Sequence, residues 1–332
     1  MKVFVTGGAG YVGSHCVRAL CQAGHDVVVF DSLEDGGHRQ AVDRRARLVV
    51  GNLHDHGVLG LALKESKADA VMHFAAYLNV GESVREPLKY YRNNVANTIN
   101  LLDAMQSCGI RNLVFSSTCA TYGNPDRLPI TESTSQCPIS PYGRSKLAVE
   151  WMLEDAAAAW DLGATALRYF NASGASSDGM IGEDRTPEYH LIPLVLEVAL
   201  GQRERISIFG TDYPTPDGTC VRDYIHVEDL ASAHLLALEQ QERGTFRAFN
   251  VGTGKGVSVR EVIDSGRRVT GHPIPAEEGA RREGDPAELY ADADRLRQAL
   301  GWRPHFTDID DIVRSAWTWH QAHPQGYRTH RT

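Results

Sequence analysis

The fold is decided near the start of the chain, by the stretch Lys-Val-Phe-Val-Thr-Gly-Gly-Ala-Gly-Tyr-Val-Gly at residues 2–13. An apolar run typical of a buried strand leads into a turn with glycines at positions 7, 10 and 13, and a helical pattern follows. Glycine lets such a turn bend sharply, approach a pyrophosphate closely and pack the helix on the strand. The helix N-terminus then presents free N–H groups and its positive dipole end to the phosphates. The stretch predicts a dinucleotide site, the alternative being an ordinary tight turn before a helix.

The second predicted strand ends in an acid, Asp31. A carboxylate at this place accepts hydrogen bonds from the ribose hydroxyls of an adenosine, and it repels a 2′-phosphate. The arginines at positions 39, 44 and 45 come later, outside the turn itself. The sequence therefore favours NAD over NADP as the cofactor.

Short apolar runs alternate with helical stretches through the first half of the chain. The predicted strands are Lys2–Thr6, Asp26–Phe30, Leu48–Val50, Ala70–His73, Asn112–Ser116 and Ala164–Arg168, with helices near 11–24, 87–108 and 141–161. This alternation predicts an α/β fold with a Rossmann-type doubly wound parallel sheet.

After residue 171 the pattern loosens into loops rich in Gly, Asp and Pro around shorter elements. Further strands are predicted at Ile206–Phe209 and Ala248–Val251, and helices near 190–200, 228–240, 258–269 and 308–320. We expect an NAD-binding domain at 1–171 and a smaller substrate-binding domain at 172–332, with some chain crossing between the two. The polar tail 323–332 is expected to fray.

The composition excludes several classes of protein. The 332 residues carry a net charge of −8, which argues against a nucleic-acid-binding protein. No apolar run reaches the ~18 residues that a membrane helix needs, and no secretion signal is expected ahead of the first strand. The six cysteines are scattered without a Cys-x-x-Cys pair, which is typical of reduced thiols in the cytoplasm.

A tyrosine and a lysine share one face of a predicted helix, in Tyr142-Gly-Arg-Ser-Lys146. An ammonium beside a phenol favours the phenolate and lowers its pKa from about 10, which produces a base for an alcohol proton. The preceding strand leads to Thr118, at the sheet edge where ligands bind. Thr118, Tyr142 and Lys146 are the candidate catalytic residues, the alternative being a surface tyrosine beside a solvated lysine.

Motifs along nearly the whole chain make it similar to a known family. They are Thr-Gly-Gly-Ala-Gly-Tyr-Val-Gly-Ser-His (6–15), His-Phe-Ala-Ala (73–76), Val-Gly-Glu-Ser-Val (80–84), Tyr-Tyr-Arg-Asn-Asn-Val (90–95), Ser-Ser-Thr-Cys-Ala-Thr-Tyr-Gly (116–123), Pro-Tyr-Gly-Arg-Ser-Lys (141–146), Leu-Arg-Tyr-Phe-Asn (167–171), Ile-Phe-Gly-Thr-Asp-Tyr (208–213), Asp-Gly-Thr-Cys-Val-Arg-Asp-Tyr-Ile-His-Val (217–227) and Arg-Arg-Glu-Gly-Asp (281–285). With these motifs the chain resembles the extended short-chain dehydrogenases/reductases and, among them, the UDP-glucose (UDP-galactose) 4-epimerase family. The resemblance implies an isomerase with tightly bound NAD that interconverts UDP-glucose and UDP-galactose through a transient 4-keto sugar.

The resemblance also implies roles for individual residues. The family's NAD-binding positions are occupied here by Gly7, Gly10, Tyr11, Val12, Gly13, Asp31, Asn52, Leu53, Phe74, Ala75, Ala76, Asn93, Ser116, Lys146 and Phe170. Its UDP-sugar-binding positions are occupied by Thr118, Tyr142, Asn171, His190, Leu191, Ser207, Phe209, Arg222, Arg282, Asp285 and Leu289. The family is usually homodimeric through the helices near 90–107 and 141–160, and no metal, nucleic acid or membrane partner is expected.

Three positions depart from the family pattern. Asn52 replaces an Asp that binds the adenine amino group in many members, and its amide oxygen is able to accept the same bond. Leu78 replaces a Lys that contacts the cofactor phosphates in some members. Leu289 is intermediate between the large aromatic that excludes N-acetylated sugars and the small residues that admit them. UDP-N-acetylhexosamines, UDP-pentoses and UDP-uronates therefore stay open as alternative substrates.

Other functions remain as alternatives. A sugar-nucleotide 4,6-dehydratase needs an acid beside the threonine, whereas Cys119 and Ala120 follow it here. A net oxidoreductase with exchangeable NAD does not need residues that bind uridine, and a non-catalytic NAD sensor does not need the Thr, Tyr and Lys. The histidines at positions 15, 73, 190 and 226 share no metal-ligand spacing, so we expect structural or loop roles for them, with His190 close to the sugar nucleotide.

Overall fold

The computed structural model describes residues 1–282 and 285–330. Residues 283 and 284, within the Arg-Arg-Glu-Gly-Asp motif, and residues 331 and 332, at the end of the tail, lie outside the described residues. The strands are β1 (Lys2–Thr6), β2 (Asp26–Asp31), β3 (Arg47–Val50), β4 (Ala70–His73), β5 (Asn112–Thr118), β6 (Gly163–Tyr169), β7 (Asn171–Ser173), β8 (Ile206–Phe209), β9 (Val221–His226), β10 (Phe246–Val251), β11 (Gly256–Ser258), β12 (Ala276–Gly279) and β13 (Glu288–Leu289). The α-helices are α1 (Tyr11–Gln22), α2 (His56–Ser66), α3 (Val80–Arg85), α4 (Pro87–Tyr90), α5 (Asn97–Cys108), α6 (Pro141–Trp160), α7 (Leu191–Ala199), α8 (Val227–Glu239), α9 (Val259–Thr270), α10 (Asp294–Leu300) and α11 (Ile309–Ala322).

Seven parallel strands form the main sheet, in the order β10-β6-β5-β4-β1-β2-β3. The predicted doubly wound α/β fold is therefore confirmed. The strand order changes direction between β1 and β4, and ligands bind at such a switch point, outside the carboxyl ends of the strands. Strand β10 comes from the second half of the chain and pairs with β6, so the chain returns to this sheet. The division into domains at residue 171 stays a prediction.

Helices cover both faces of the main sheet because its strands are apolar on both sides. Val17 and Leu20 of α1 are fully buried with residues of α8 and with one face of the strands. Leu59, Leu101 and Leu153, from α2, α5 and α6, are fully buried against the other face. Burying a leucine side chain stabilises the fold by roughly 1.5–3 kcal/mol. This burial holds helices on both faces of the parallel sheet, as is usual for such sheets.

Helix α6 begins where its sequence predicts. The hydroxyl of Ser140 accepts a hydrogen bond from the N–H of Gly143 at 3.1 Å, and Pro141 occupies the first helical position, where no N–H is needed. Strand β5 continues two residues beyond the predicted end, so that Thr118 is its last residue. The start of α6 and the end of β5 therefore meet at the carboxyl edge of the sheet.

Smaller sheets form the second half of the structure. Strand β9 pairs with β7, β11 and β13, and β8 pairs with β12. Helices α7, α9 and α11 pack around them in a separate apolar cluster. The predicted strand Ile206–Phe209 and helices near 190–200, 228–240, 258–269 and 308–320 are confirmed to within two residues. Helices α2, α3 and α10, and the short strands β7, β9, β11, β12 and β13, were not predicted.

The expectation of a frayed tail is wrong for the part that the structure describes. The Tyr327 side chain is buried, and its ring lies 5.4 Å from that of Trp319. Its hydroxyl oxygen accepts a hydrogen bond from the N–H of Gly182 at 3.0 Å. The polar tail is therefore fixed to the rest of the structure, because the Tyr327 side chain is buried against the loop before α7. Among the described residues, no helix combines the length and the apolar character needed to span a membrane.

Candidate active site

A cavity of about 480 Å³ opens at the switch point between β1 and β4. Its wall combines the glycine turn, the segments that follow β2, β4, β5 and β6, and the loop before α7. A cavity of this volume is large enough for a ligand of nucleotide size.

The glycine turn has no room for side chains at positions 7 and 13. Gly7 has a φ of +72°, and a Cβ there would stand 2.5 Å from the backbone nitrogen of Ala75. A Cβ on Gly13 would overlap the carbonyl oxygen of Gly7, whereas a Cβ on Gly10 would meet no atom closer than 3.4 Å. Gly10 caps α1 without a side-chain hydrogen bond, so the first N–H groups of the helix are open to a phosphate.

Asp31 is fixed at the edge of the same turn. Its Oδ2 accepts a hydrogen bond from the N–H of Ala9 at 2.9 Å, and its Oδ1 accepts one from the N–H of Leu33 at 2.8 Å. Burial raises the pKa of Asp31, while these two hydrogen bonds oppose the rise. Each carboxylate oxygen keeps a further acceptor site, so Asp31 fits a pair of ribose hydroxyls and disfavours a 2′-phosphate.

Thr118, Tyr142 and Lys146 all line the cavity. The Nζ of Lys146 donates a hydrogen bond to the carbonyl oxygen of Ser116 at 2.8 Å and lies 4.8 Å from the centre of the Phe115 ring. Burial lowers the pKa of Lys146 to about 7, and the charge of Glu150 opposes that shift. A group with a pKa near neutrality is suited to proton transfer.

The expected lowering of the Tyr142 pKa is not found in this structure. Burial raises the pKa of Tyr142 well above its ordinary value, and a hydrogen bond with Thr118 opposes the rise. The helix spacing does bring Tyr142 and Lys146 to one cavity, but desolvation disfavours the charged form of each. The spacing along one helix encodes the proximity of the two groups, whereas the desolvation cost depends on the residues packed around the helix.

A buried ionic cluster lies behind these residues. The Arg168 guanidinium donates to both oxygens of Glu150, with N···O distances of 2.6 to 3.2 Å. Ser117, next to Thr118 in β5, donates to the Glu150 carboxylate at 2.5 Å, and Arg168 also donates to the Tyr122 hydroxyl at 2.9 Å. Because Glu150 follows Lys146 by one helical turn, the cluster fixes α6 to β5 and β6.

The loop before α7 brings a second charged group to the cavity. The Nδ1 of His190 lies 2.6 Å from Oε1 of Glu183 and 3.8 Å from Oε1 of Glu188. Burial would lower the pKa of His190, but the charge of Glu183 and the hydrogen bond to it raise it, and the net shift is upward. The atoms of Glu183, Glu188 and His190 that could ligate a metal ion all lie within 4.8 Å of one another. The sequence spacing of His190 did not predict this cluster.

Four of the residues expected to bind the UDP moiety do not line this cavity. Arg282 lies over the ring of Phe209, with 4.1 Å between Cζ and the ring centre. Ser207 donates a hydrogen bond to Glu277 at 3.0 Å, and Arg222 forms an ion pair with Asp285. Asp285 does line the cavity, so the Arg222–Asp285 pair connects these residues to it.

The other predicted site residues do line the cavity. They are Gly7, Gly10, Tyr11, Val12, Gly13, Asp31, Asn52, Leu53, Phe74, Ala75, Ala76, Asn93, Ser116, Lys146, Phe170, Thr118, Tyr142, Asn171, His190, Leu191, Asp285 and Leu289. Three of them are amides that already have partners. Asn52 Oδ1 accepts from the N–H of His54 at 3.1 Å, Asn93 Nδ2 donates to Oδ1 of Asn94 at 3.1 Å, and Asn171 Nδ2 donates to the carbonyl of Asp223 at 3.2 Å.

Sequence reasoning missed several residues of the cavity wall. The segment 34–37 after β2 lies there, together with Tyr169, Glu183 and Arg185. Tyr169 follows a predicted strand and was within reach of the sheet-edge argument. Segment 34–37 and residues 183–185 come from irregular loops that meet across the cavity, and no local pattern indicates that contact.

The remaining candidate histidines are buried and hydrogen-bonded. The Nδ1 of His15 lies 2.9 Å from the carbonyl oxygen of Tyr11, and His73 lies within hydrogen-bonding distance of the hydroxyls of Thr6 and Thr98, at 2.6 and 2.9 Å. His226 accepts from the N–H of Glu228 at 3.1 Å and so caps α8. These contacts give each of the three rings a structural role.

The fold and the cavity together define a class of protein: an α/β enzyme with a dinucleotide site at its switch point and a Thr–Tyr–Lys group beside it. Comparison with known proteins gives the family. The model of the NAD dependent epimerase/dehydratase family matches residues 3–252, and the chain belongs to this family.

The relatives and solved structures are similar over their whole length. The chain is 50% identical to the UDP-glucose 4-epimerase of Lacticaseibacillus casei over 328 residues, which cover 98% of this chain and 99% of that relative. A crystal structure of a UDP-glucose 4-epimerase matches with a TM-score of 0.95 at 48% identity, covering 98% of this chain and 99% of that one. The Bifidobacterium longum UDP-glucose 4-epimerase, in complex with NAD+ and UDP, matches with a TM-score of 0.94 at 38% identity, covering 98% and 100%.

Proposed function

We propose that this chain interconverts UDP-glucose and UDP-galactose by NAD-dependent 4-epimerisation through a transient 4-keto sugar. The observation that carries the proposal is the convergence of the glycine turn, Asp31, Thr118, Tyr142 and Lys146 on one cavity. Relatives that are about 50% identical over almost the whole chain are UDP-glucose 4-epimerases, which supports the same reaction here.

The residues present fit NAD. The glycine turn would hold its pyrophosphate at the start of α1, and Asp31 would hold the adenosine ribose. The segment from Phe74 to Ala76 lies against the same turn. Lys146 lies at the carboxyl end of β5, where we place the nicotinamide ribose. When bound, NAD supplies the redox step, taking a hydride from C4 of the sugar and returning it to the opposite face.

The chain's own residues move the accompanying proton. Tyr142, hydrogen-bonded to Thr118, takes the proton from the sugar O4 and later gives it back. The pKa of Tyr142 must fall for this step, and the ammonium form of Lys146 is the nearby charge able to lower it. No step requires a metal ion, and we propose that none takes part.

Epimerisation requires that the sugar turn over while the nucleotide stays in place. We therefore assign the UDP moiety to the residues outside the cavity wall, Arg222, Arg282, Phe209 and Ser207, together with Asn171 and Asp285 at its edge. Two guanidinium groups suit a diphosphate because each is able to donate parallel hydrogen bonds to it. His190, Leu191 and Leu289 line the part of the cavity that we assign to the sugar.

We also propose a homodimer, formed through α5 and α6. Large apolar side chains are exposed here: Trp151 of α6 is 59% exposed, and Leu88 and Val84, on helices packed against α6, are 61% and 63% exposed. Large apolar side chains exposed on neighbouring helices are typical of a contact site. Light scattering should give twice the chain mass, and Trp151→Glu should give the chain mass. Met180→Glu, at an equally exposed loop position, should leave the dimer intact.

We place the protein in the cytoplasm, because all six cysteines are free thiols. Two of them, Cys16 and Cys21, are buried in helix α1.

The proposed function is tested by product analysis on a panel of UDP-sugars with no NAD added. Conversion of UDP-glucose to UDP-galactose is the expected result, and the panel includes UDP-N-acetylglucosamine because of Leu289. Release of a 4-keto-6-deoxy sugar would instead indicate a dehydratase, and a requirement for a second oxidisable substrate would indicate a net oxidoreductase. No conversion of any member would contradict the proposal.

A further inference from the structure

An arginine that the reaction above does not use lies in the cavity wall. Arg185, on the loop before α7, is half-buried and lines the cavity. Its Nε is buried without a hydrogen-bond partner among the described residues. The guanidinium contacts the ring of Tyr189, with 5.1 Å between Cζ and the ring centre. A buried guanidinium N–H without an acceptor is costly, so this group is suited to an anion that enters the cavity.

The acids around Arg185 have other partners. Glu183 and Glu188 face the imidazole of His190. Asp184 accepts from the backbone N–H of Tyr327 at 2.9 Å and lies 3.4 Å from the ring of His38. Within the residues that the structure describes, no carboxylate lies within 4.0 Å of the Arg185 guanidinium. Its charge is therefore available to a ligand.

The position of Arg185 favours the cofactor side of the cavity. A Cβ on Gly36 would stand 4.0 Å from its Cζ, and Gly36 belongs to the loop that follows Asp31. That loop is tied to the glycine turn, because the N–H of His38 donates to the carbonyl of Ala9 at 2.9 Å. The other arginines assigned to a diphosphate, at positions 222 and 282, lie outside this wall.

Few other cations are available there. Among the described residues of the cavity wall, the only lysine or arginine besides Arg185 is Lys146, which is hydrogen-bonded to Ser116 on β5. A dinucleotide brings two negative charges to the glycine turn, and the turn itself offers only backbone N–H groups.

We propose that Arg185 binds the diphosphate of the NAD, across the cavity from the glycine turn. This inference rests on the proposed function for the identity of the cofactor. Arg185 then donates charge-assisted hydrogen bonds from the substrate-side loop, so that the loop has to open before NAD leaves. The arrangement links retention of the cofactor to the loop that carries His190.

The test measures the NAD content of the purified protein and the dissociation constant of NAD. Arg185→Gln should raise that dissociation constant about tenfold or more, since a hydrogen bond to a charged group is lost. Arg185→Lys keeps the positive charge but loses the two parallel N–H donors of the guanidinium. Its dissociation constant for NAD should therefore lie between those of Arg185→Gln and the wild type. The wild-type affinity should also fall more steeply with salt than that of Arg185→Gln. Arg328→Gln is the control, because Arg328 contacts Thr186 at 3.5 Å on the outside of the same loop.

The affinity of the NAD-loaded protein for UDP shows whether Arg185 binds the diphosphate of NAD or that of UDP. It should be unchanged in Arg185→Gln, which would also show that the variant is folded. Equal NAD affinity in Arg185→Gln and the wild type would overturn the inference, and so would a loss of UDP affinity without a loss of NAD affinity. A wild-type protein that binds no NAD would overturn the proposed function itself.

Discussion

The Glu150 carboxylate and the Arg168 guanidinium form a buried fork directly behind the strand that carries Thr118. The two side chains are 2% and 6% exposed, and three N···O distances lie between 2.6 and 3.2 Å. Such a pair fixes the position of both elements, because removing either partner would leave the other charge buried and unpaired. Together with Ser117, it connects the helix of Tyr142 and Lys146 to strands β5 and β6.

Glu150→Gln should therefore lower the free energy of unfolding by about 3–5 kcal/mol, because the buried guanidinium loses its counter-charge. Urea unfolding measures the change. Glu154→Gln, one turn further along α6 and exposed, is the matched control and should change stability by no more than about 0.5 kcal/mol. Equal stabilities of the two variants would show that the fork does not stabilise the fold.

Tyr142→Phe should lower turnover at least ~10²-fold, the low end for the loss of a general base. The cavity should keep its NAD, because the phenol hydroxyl is not part of the proposed cofactor site. Turnover and NAD content are measured on the same preparation. A preparation that retains NAD and turns over at the wild-type rate would remove Tyr142 from its role.

Substrate binding should weaken as the pH rises through the pKa of His190. The neighbouring Glu183 raises the pKa of His190, so the ring is protonated and attracts an anionic UDP-sugar below that pKa, and it is neutral above it. The KM should rise by about tenfold across this range. Glu183→Gln removes the negative charge that raises the pKa of His190, so the increase in KM should move to lower pH.

His190→Asn should abolish this pH dependence of the KM, while the exposed His54→Asn should leave it unchanged. A pH profile that is the same in His190→Asn and the wild type would assign the effect to another group.

Two glycine substitutions should have opposite effects on stability. Gly13→Ala places a methyl group against the carbonyl of Gly7, which should destabilise the protein by roughly 1–3 kcal/mol and lower its NAD content. Gly60→Ala lies within α2 with no atom within 4 Å of the new Cβ, and it should stabilise by about 0.5–1 kcal/mol. Thermal unfolding and NAD release measure both, and destabilisation by Gly60→Ala would contradict the geometry of α2.

The sequence predicted the parts of the site that local patterns encode. Residues 2–13 are a strand, a turn and a helix whatever follows, and the Tyr142–Lys146 spacing depends only on one helix. The pKa of Tyr142 was predicted in the wrong direction, because burial depends on everything packed around the helix.

Contacts between distant loops were beyond local patterns. Arg185 and Gly36 are adjacent only because two irregular loops cross the same cavity, and Tyr327 is buried only because the tail reaches Gly182. The return of β10 to the first sheet is likewise set by packing between the two halves.

The central claim is that the hydrogen removed from C4 of the sugar is the one that returns to it. The most direct test converts UDP-glucose carrying deuterium at C4, in ordinary water and with no NAD added. The account predicts UDP-galactose with the deuterium still at C4, because the resident cofactor takes and returns the same hydrogen. Loss of the deuterium to solvent, giving UDP-galactose with ordinary hydrogen at C4, would contradict the account.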